Sequence, residues 1–146
     1  MSNHTFDIWA DGGSRGNPGP AAYGFIIKGP GLGTIEHGEV IGRATNNVAE
    51  YSGVIGALKK LKSELGTKKS SAASVLVHAD SELLVKQMNG EYRVKDANLR
   101  ELYMEIHNII IAFEEVSFTH VRREKNKDAD RMVNQALDHE QKELDL

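Results

Sequence analysis

Apolar and polar residues alternate in the first part of the chain with the two-residue period that is typical of β-strands. Residues 6–11, 21–29 and 33–42 each carry this alternation, and the glycine-rich stretch "GPGLG" forms a turn between the last two segments. Strands that follow one another this closely most simply form an antiparallel meander. The pattern therefore predicts three antiparallel strands at the start of the fold.

The period changes to that of an α-helix after this meander. Residues 45–65 carry apolar side chains at helical spacing, and Gly66 is the expected end of the helix. A loop over residues 66–74 then leads into an apolar strand over residues 75–80. The remaining pattern predicts a short helix, a longer helix, a last strand and a closing helix, over residues 81–88, 98–113, 115–121 and 128–144.

This order of elements predicts the fold class. It indicates an α/β domain whose five-stranded mixed sheet combines the antiparallel meander with two parallel strands and is flanked by helices. A right-handed crossover through the long helix places the fourth strand beside the first and parallel to it. We expect a single domain over residues 1–146, with a core over residues 6–137 and an acidic tail over residues 138–146 that frays.

Composition limits the chemistry that is open to this domain. The 146-residue chain has no cysteine, so thiolate metal sites are excluded and any metal ion must be bound by oxygen or imidazole ligands. A net charge of -3 gives no overall basic field to attract a polyanion. No apolar run is long enough to span a bilayer, and the first residues lack the pattern of a signal peptide. We expect a cytoplasmic protein without membrane contact, and the sequence implies no protein partner.

Several acidic residues lie at predicted strand ends and helix starts that the topology brings close together. Asp11 and Asp80 end neighbouring parallel strands, at the edge where open α/β sheets bind their ligands. Glu50 lies in the first turn of the long helix and Asp130 in the first turn of the last one. Carboxylate oxygens are ligands that Mg²⁺ prefers, so the joint arrangement indicates a divalent metal site. Each acid alone has a plainer interpretation, because Asp and Glu are favoured at helix N-termini and in turns.

Four motifs along the chain carry the most specific signal. They are, in order, "DGGSRGNPGPAAYG", "RATNNVAEYSGVIGAL", "HADSELLV" and "HVRREKNKDADRMVNQAL". Together they resemble type 1 ribonuclease H over residues 6–137. The resemblance implies a ribonuclease H fold and an endoribonuclease that hydrolyses the RNA strand of RNA–DNA hybrids, leaving 5′-phosphate and 3′-hydroxyl ends.

Carried over motif by motif, the resemblance implies that Asp11, Glu50, Asp80 and Asp130 hold two divalent cations, Mg²⁺ or Mn²⁺, in each active site. Two such ions activate a water molecule on one side of a phosphodiester and stabilise the leaving 3′ oxygen on the other. Four carboxylates in one site repel one another. We therefore expect them to titrate as a group, and the site to be only marginally stable without metal.

The resemblance also implies substrate contacts beside the acids. Backbone amides in a turn over residues 12–14 and around Glu82 are expected to meet the 2′-hydroxyl groups that separate RNA from DNA. Asn17, Asn46 and Asn47 match positions that contact the minor groove in the family, and Arg43 and Thr45 match a pocket that grips a phosphate of the DNA strand. The whole expected set is Gly12, Gly13, Ser14, Asn17, Arg43, Thr45, Asn46, Asn47, Ser81, Glu82 and Lys95.

Some of these residues also have plainer interpretations. Asn46 or Asn47 is also a natural helix cap, and Arg43 alone fits a solvated surface charge. Lys95 stands near the position where the family has an asparagine in its phosphate pocket.

Two departures from the family pattern carry consequences. Many relatives insert a basic, tryptophan-bearing helix and loop after the short helix, and this chain passes directly to the next helix. We therefore expect a short form with weak, strongly salt-dependent binding. Glu124 takes the position of a loop histidine that helps product leave in many members, so we expect it to take part in metal release. His120 is the alternative, but it falls within the predicted last strand.

A basic run, formed by Arg122, Arg123, Lys125 and Lys127, precedes the last helix. It is either a solvated surface or a patch that steers a phosphate backbone inward. Two other functions stay open on the sequence. One is a catalytically silent nucleic-acid-binding module of the same fold, against which the presence of all four acids argues. The other is a related metal-dependent nuclease that acts on double-stranded RNA.

Overall fold

A computed structural model describes residues 4–144 of the chain. Strands and helices follow one another largely as the hydrophobic pattern predicts, with small shifts at their ends. In chain order they are β1 (His4–Ser14), β2 (Gly19–Gly29), β3 (Gly33–Ala44), α1 (Asn46–Ser71), β4 (Ala73–Ala79), α2 (Glu82–Met88), α3 (Ala97–Ile110), β5 (Glu115–His120), a 3₁₀ turn (Arg123–Lys125) and α4 (Lys127–Leu144). None of the helices in the described part of the chain is long and apolar enough to cross a membrane.

The strands form a five-stranded mixed sheet in the order β3-β2-β1-β4-β5. β1, β2 and β3 pair antiparallel, whereas β4 pairs parallel to both β1 and β5. This arrangement confirms the predicted fold class, including the parallel crossover through α1. The sheet therefore brings the carboxyl ends of β1 and β4 to one edge.

Helices cover both faces of the sheet and divide the apolar residues into two groups. The larger core joins one face of the sheet to α1, α2 and α3, and its most buried side chains include Ile8, Tyr51, Leu58 and Val77. The smaller core joins Ala22 of β2 to Val133 and Leu137 of α4 on the opposite face. Burial of these apolar surfaces is the main force that fixes α1 and α4 on the sheet.

The helix α1 continues further than its sequence predicts. Gly66 leaves helical geometry, with φ 77° and ψ 172°, as an expected helix stop should. The chain nevertheless resumes helical geometry and continues to Ser71, so the predicted loop over residues 66–74 is largely wrong. Ser70 in this extra turn is fully buried, and Lys68 and Lys69 lie near the helix C-terminus, where cations are favoured.

The strand β1 is also longer than predicted. The expected turn over residues 12–14 is wrong, because these residues pair with residues 21–23 of β2 and extend the strand to Ser14. On its other side β1 pairs with β4 only as far as Ala10 and Ala79. The strand thus projects beyond β4, and this projection provides the surface on which the first turn of α1 packs.

Candidate active site

Asp11 and Asp80 lie side by side at the carboxyl edge of the sheet. The last paired residues of the parallel strands β1 and β4 are Ala10 and Ala79, and each aspartate directly follows that pair. Asp11 is 9% exposed, which is unusual burial for a carboxylate. The sheet register alone therefore brings together the first two of the expected acids.

The environment of Asp11 raises the pKa of its carboxyl group to about 8. Burial is the main cause, since it disfavours the charged form, and the negative charge of Asp80 adds to it. A hydrogen bond from the Gly12 amide opposes the rise, while the charge and the hydrogen-bonded carboxyl group of Asp130 increase it. Asp11 thus interacts directly with both Asp80 and Asp130.

Glu50 is joined to the same group by its own electrostatic contacts. Burial raises the pKa of its carboxyl group to about 7, and a hydrogen bond from the Ser81 side chain opposes this rise. The charge of Asp80 raises the pKa and the charge of Arg123 lowers it. Glu50 therefore connects the start of α1 with the end of β4 and with the 3₁₀ turn.

Local features of α1 hold Glu50 in this place. Thr45 caps the helix, since its side-chain oxygen accepts a hydrogen bond from the Val48 amide at 3.3 Å. Gly12 allows the first turn to lie against β1, because a Cβ atom there would come within 2.2 Å of the Ala49 carbonyl carbon. Thr45, rather than Asn46 or Asn47, is therefore the helix cap.

Asp130 reaches the site through the first turn of α4. Gly24 of β2 permits the close approach of this helix, since a Cβ atom there would lie 2.6 Å from the Ala129 carbonyl oxygen. Asn126, which precedes the helix, is buried and donates a hydrogen bond from Nδ2 to the Ala10 carbonyl oxygen at 2.9 Å. Two independent contacts thus fix the helix beside the end of β1.

The four acids provide the oxygen ligands that a divalent cation prefers, but they do not form a closed cage. Within residues 4–144, no three His, Asp or Glu side chains are grouped so that they could together hold a metal ion. Mg²⁺ is commonly bound through one or two carboxylates, with water and substrate phosphate completing its ligands. The raised pKa values of Asp11 and Glu50, caused mainly by burial and also by the charge of Asp80, fit such a cation, because a positive charge would favour their ionised forms.

Three of the expected substrate contacts form one hydrogen-bond network at the start of α1. The Oδ1 atom of Asn46 accepts from the Ser14 amide at 2.9 Å and lies 3.2 Å from the Ser14 hydroxyl, which donates to it. The backbone amide of Asn46 in turn donates a hydrogen bond to the side-chain Oδ1 atom of Asn17 at 3.1 Å. The Ser14 backbone amide is therefore already hydrogen-bonded within the protein. The same is true of the Thr45 hydroxyl, which accepts from the Val48 amide.

The remaining expected contacts are more scattered. Arg43 lines a cavity with Arg15 and the end of α4, whereas Lys95 lines a different cavity between α2 and α3. Arg43 and Lys95 therefore line two different cavities. Glu82 forms a 2.7 Å ion pair with Lys86, which holds the pKa of its carboxyl group below its usual range.

The two candidates for the loop histidine position lie on different elements. Glu124 is exposed in the 3₁₀ turn and lines a cavity with Trp9 and Asn126. His120 is the last residue of β5 and pairs with Ala79. Its place at the end of a strand agrees with the sequence-based expectation that His120 lies within the last strand.

Sequence reasoning missed two residues of this site. It grouped Arg123 with a basic run, whereas the structure places its charge near Glu50. It overlooked Asn126, although an asparagine directly before a helix is a common cap signal. Neither long-range partner, Glu50 or the Ala10 carbonyl, could be read from the local pattern.

Comparisons with known proteins identify the family to which the chain belongs. A family model described as "Reverse transcriptase-like" matches residues 10–136. The chain is 42% identical over 133 residues to the Bifunctional protein Rv2228c of Mycobacterium tuberculosis, covering 90% of this chain and 35% of that protein. It is 40% identical over 129 residues to Ribonuclease HI of Halobacterium salinarum, covering 88% of this chain and 62% of that protein. The chain thus spans less than two thirds of the length of either relative.

A solved structure extends the match over nearly the whole of both chains. LC11-RNase H1 in complex with an RNA/DNA hybrid superposes with a TM-score of 0.85 at 43% sequence identity, covering 92% of this chain and 97% of that chain. This likeness confirms the predicted ribonuclease H fold. The chain therefore belongs to the ribonuclease H family, as a type 1 member.

Proposed function

We propose that this chain is an endoribonuclease that hydrolyses the RNA strand of RNA–DNA hybrids. The observation that carries the proposal is the meeting of four acids at one edge of the sheet: Asp11 interacts with Asp80 and Asp130, and Glu50 interacts with Asp80. The RNA/DNA hybrid that the related LC11-RNase H1 binds supports the choice of substrate. We further propose that residues 6–137 form the catalytic domain and that it acts in the cytoplasm.

In this proposal the four acids hold two Mg²⁺ or Mn²⁺ ions. When bound, such ions would supply Lewis-acid activation of water and stabilisation of the leaving oxygen. Asp11 and Asp80 provide the central ligands, since they adjoin the last pair of the parallel strands. The Arg123 charge and the Ser81 hydrogen bond favour the ionised form of Glu50, which keeps it ready to bind a cation.

The resemblance to type 1 ribonuclease H also implies which bond is broken. We propose that water attacks the phosphorus atom and that the 3′ oxygen leaves. Cleavage of the bond to the 3′ oxygen leaves 5′-phosphate and 3′-hydroxyl ends. We propose that Glu124, exposed in the 3₁₀ turn that precedes α4, assists the release of metal or product.

Recognition of the RNA strand rests on the surface beside the first turn of α1. The network of Ser14, Asn17 and Asn46 holds an exposed asparagine side chain rigidly there. Gly13, Asn47 and the start of α2 after Ser81 lie around the same edge and complete the contacts that we propose. Arg43 and Lys95 are separate phosphate contacts in this proposal, because they line different cavities.

A direct comparison of substrates tests this function. RNA–DNA hybrid, duplex RNA and duplex DNA of one sequence are offered with Mg²⁺ or Mn²⁺ to the unmodified protein and to Asp80→Asn. We expect cleavage of the RNA strand of the hybrid only, loss of that cleavage in Asp80→Asn, and products with 5′-phosphate ends. Preferred cleavage of duplex RNA would favour the related nuclease, and binding without cleavage would favour the silent module.

A further inference from the structure

Asn126 connects the two elements that carry Asp11 and Asp130. Its side chain is 1% exposed, and its Nδ2 atom donates to the Ala10 carbonyl oxygen at 2.9 Å. Its own carbonyl oxygen accepts a hydrogen bond from the Asp130 amide at 3.1 Å. Two hydrogen bonds in series therefore join the residue before Asp11 to the backbone of Asp130.

This connection differs from the other polar contact near the start of α4. The ion pair between Arg131 and Glu36 also holds this part of α4 to the sheet, but it is exposed, and exposed pairs contribute little. The Asn126 side chain, in contrast, is buried and bonds directly to the strand end that carries Asp11.

The same side chain is poorly explained by stability alone. Its Oδ1 atom is buried and has no hydrogen-bond partner among residues 4–144, an arrangement that destabilises a fold. An apolar side chain would remove this unpaired oxygen together with the bond to the Ala10 carbonyl, and Val133 and Leu137 already pack α4 on the sheet. A buried polar group that costs stability commonly marks a site where function sets the choice of residue.

We propose that Asn126 is a positioning residue that sets the distance between Asp11 and Asp130 for cation binding. This inference rests on the proposed function, because it assigns the spacing to the metal ions that those acids hold. Asn126 touches neither substrate nor the acid side chains; it acts through the Ala10 carbonyl and the Asp130 amide. Groups that orient metal ligands in this indirect way commonly alter metal affinity when they are changed.

The test compares Asn126→Ala and the similarly sized Asn126→Leu with Leu137→Ala, a matched control that weakens the packing of α4 far from its first turn. The apparent affinity for Mn²⁺ alone is measured, without substrate, from the rise of Tm with metal concentration. In both Asn126 variants we expect this affinity to fall by on the order of tenfold, and kcat on the hybrid to fall by a similar factor. We expect KM for the hybrid to stay within about twofold. Leu137→Ala should lower Tm while it keeps the Mn²⁺ affinity.

Hydrogen exchange of the Asp130 amide provides a readout that does not depend on metal or activity. We expect this amide to exchange faster in both Asn126 variants than in Leu137→Ala at equal global stability. Unchanged exchange and unchanged Mn²⁺ affinity in the Asn126 variants would overturn the inference, as would equal losses in Leu137→Ala. If the unmodified protein neither binds Mn²⁺ nor cleaves hybrid, the proposed function fails, and the inference that depends on it fails with it.

Discussion

The Asp130 carboxyl group, in the first turn of α4, lies close enough to Asp11, at the end of the parallel ladder, to raise the pKa of Asp11. Burial is the larger cause of this rise, and the charge of Asp80 adds to it, so that the pKa of Asp11 reaches about 8. Without metal, Asp11 therefore binds a proton at neutral pH.

The first prediction concerns stability against pH without metal. The folded pKa of Asp11, about 8, lies above its unfolded value of 3.8, and the folded pKa of Glu50, about 7, lies above 4.5. The folded state thus binds more protons between these values, so the free energy of unfolding falls as pH rises from about 4 to about 8. Denaturant unfolding at several pH values, with a chelator present, measures this slope.

The variant Asp11→Asn and the addition of Mg²⁺ check the cause of that slope. Asparagine cannot ionise, so the decline should become clearly shallower, with each removed unit of pKa shift corresponding to about 1.4 kcal/mol. Saturating Mg²⁺ should also flatten the decline near pH 8, because it binds the ionised carboxylates. A slope that is equal in Asp11→Asn, without metal, would contradict this assignment.

The second prediction concerns Arg123 and its charge near Glu50. Removing that charge in Arg123→Ala should raise the pKa of Glu50 further, so that less of it is ionised at neutral pH. We expect kcat near pH 7 to fall by on the order of tenfold and the rising limb of the pH profile to move to higher pH. The pH dependence of hybrid cleavage measures both effects.

Two variants separate a local charge effect from a general one. Arg123→Lys keeps the positive charge and should restore part of the activity, whereas Arg122→Ala removes the same charge from the neighbouring exposed position. An equal loss of activity in Arg122→Ala would mean that the basic run acts only by attracting the substrate backbone.

The third prediction concerns the approach of α1 to β1. In Gly12→Ala the new Cβ atom would meet the Ala49 carbonyl carbon at 2.2 Å, so the first turn of α1, with Glu50, must move. Overpacking of this kind costs about 1–3 kcal/mol. We expect a lower free energy of unfolding and a lower kcat together, measured by denaturant unfolding and hybrid cleavage.

Gly13→Ala is the matched stability control for this variant. A Cβ atom at Gly13 would come no closer than 3.9 Å to the Val133 side chain, which is ordinary contact. Its free energy of unfolding should therefore change much less than that of Gly12→Ala. Similar losses in both variants would show that glycine flexibility, and not the approach of α1, is what matters here.

Much of this architecture follows from local sequence signals. The alternation in β1 and β4, with the right-handed crossover between them, is sufficient to predict that Asp11 and Asp80 meet at one sheet edge. The continuation of α1 past Gly66 was not predictable in this way, because buried packing of Ser70 outweighs a local stop signal. Tertiary contacts that stabilise the following turn can thus override the local preference to end the helix.

The parts of the site that sequence reasoning missed depend on contacts between distant residues. The bond from Asn126 to the Ala10 carbonyl spans 116 positions, and its acceptor is a backbone atom that no side-chain pattern marks. Arg123 likewise approaches Glu50 only because the 3₁₀ turn follows β5. Motif matching compares positions along the chain, so it does not show that Arg43 and Lys95 line different cavities.

The last prediction concerns Asn46 as a donor to the RNA strand. Its Oδ1 atom accepts hydrogen bonds from Ser14. Its Nδ2 atom has no acceptor among residues 4–144, so its N–H groups are available to donate to a ligand. Asn46→Asp keeps the acceptor for Ser14 but replaces this donor with a second carboxylate oxygen. We expect Tm to change little and KM for the hybrid to rise by on the order of tenfold, since one donor is lost and a repulsive charge is gained. Steady-state cleavage at constant ionic strength measures KM, and Asn108→Asp, at an exposed position near the end of α3, introduces the same charge away from the proposed contacts. An equal rise of KM in Asn108→Asp would assign the effect to net charge, whereas a rise confined to Asn46→Asp identifies the first turn of α1 as a surface that reads the substrate.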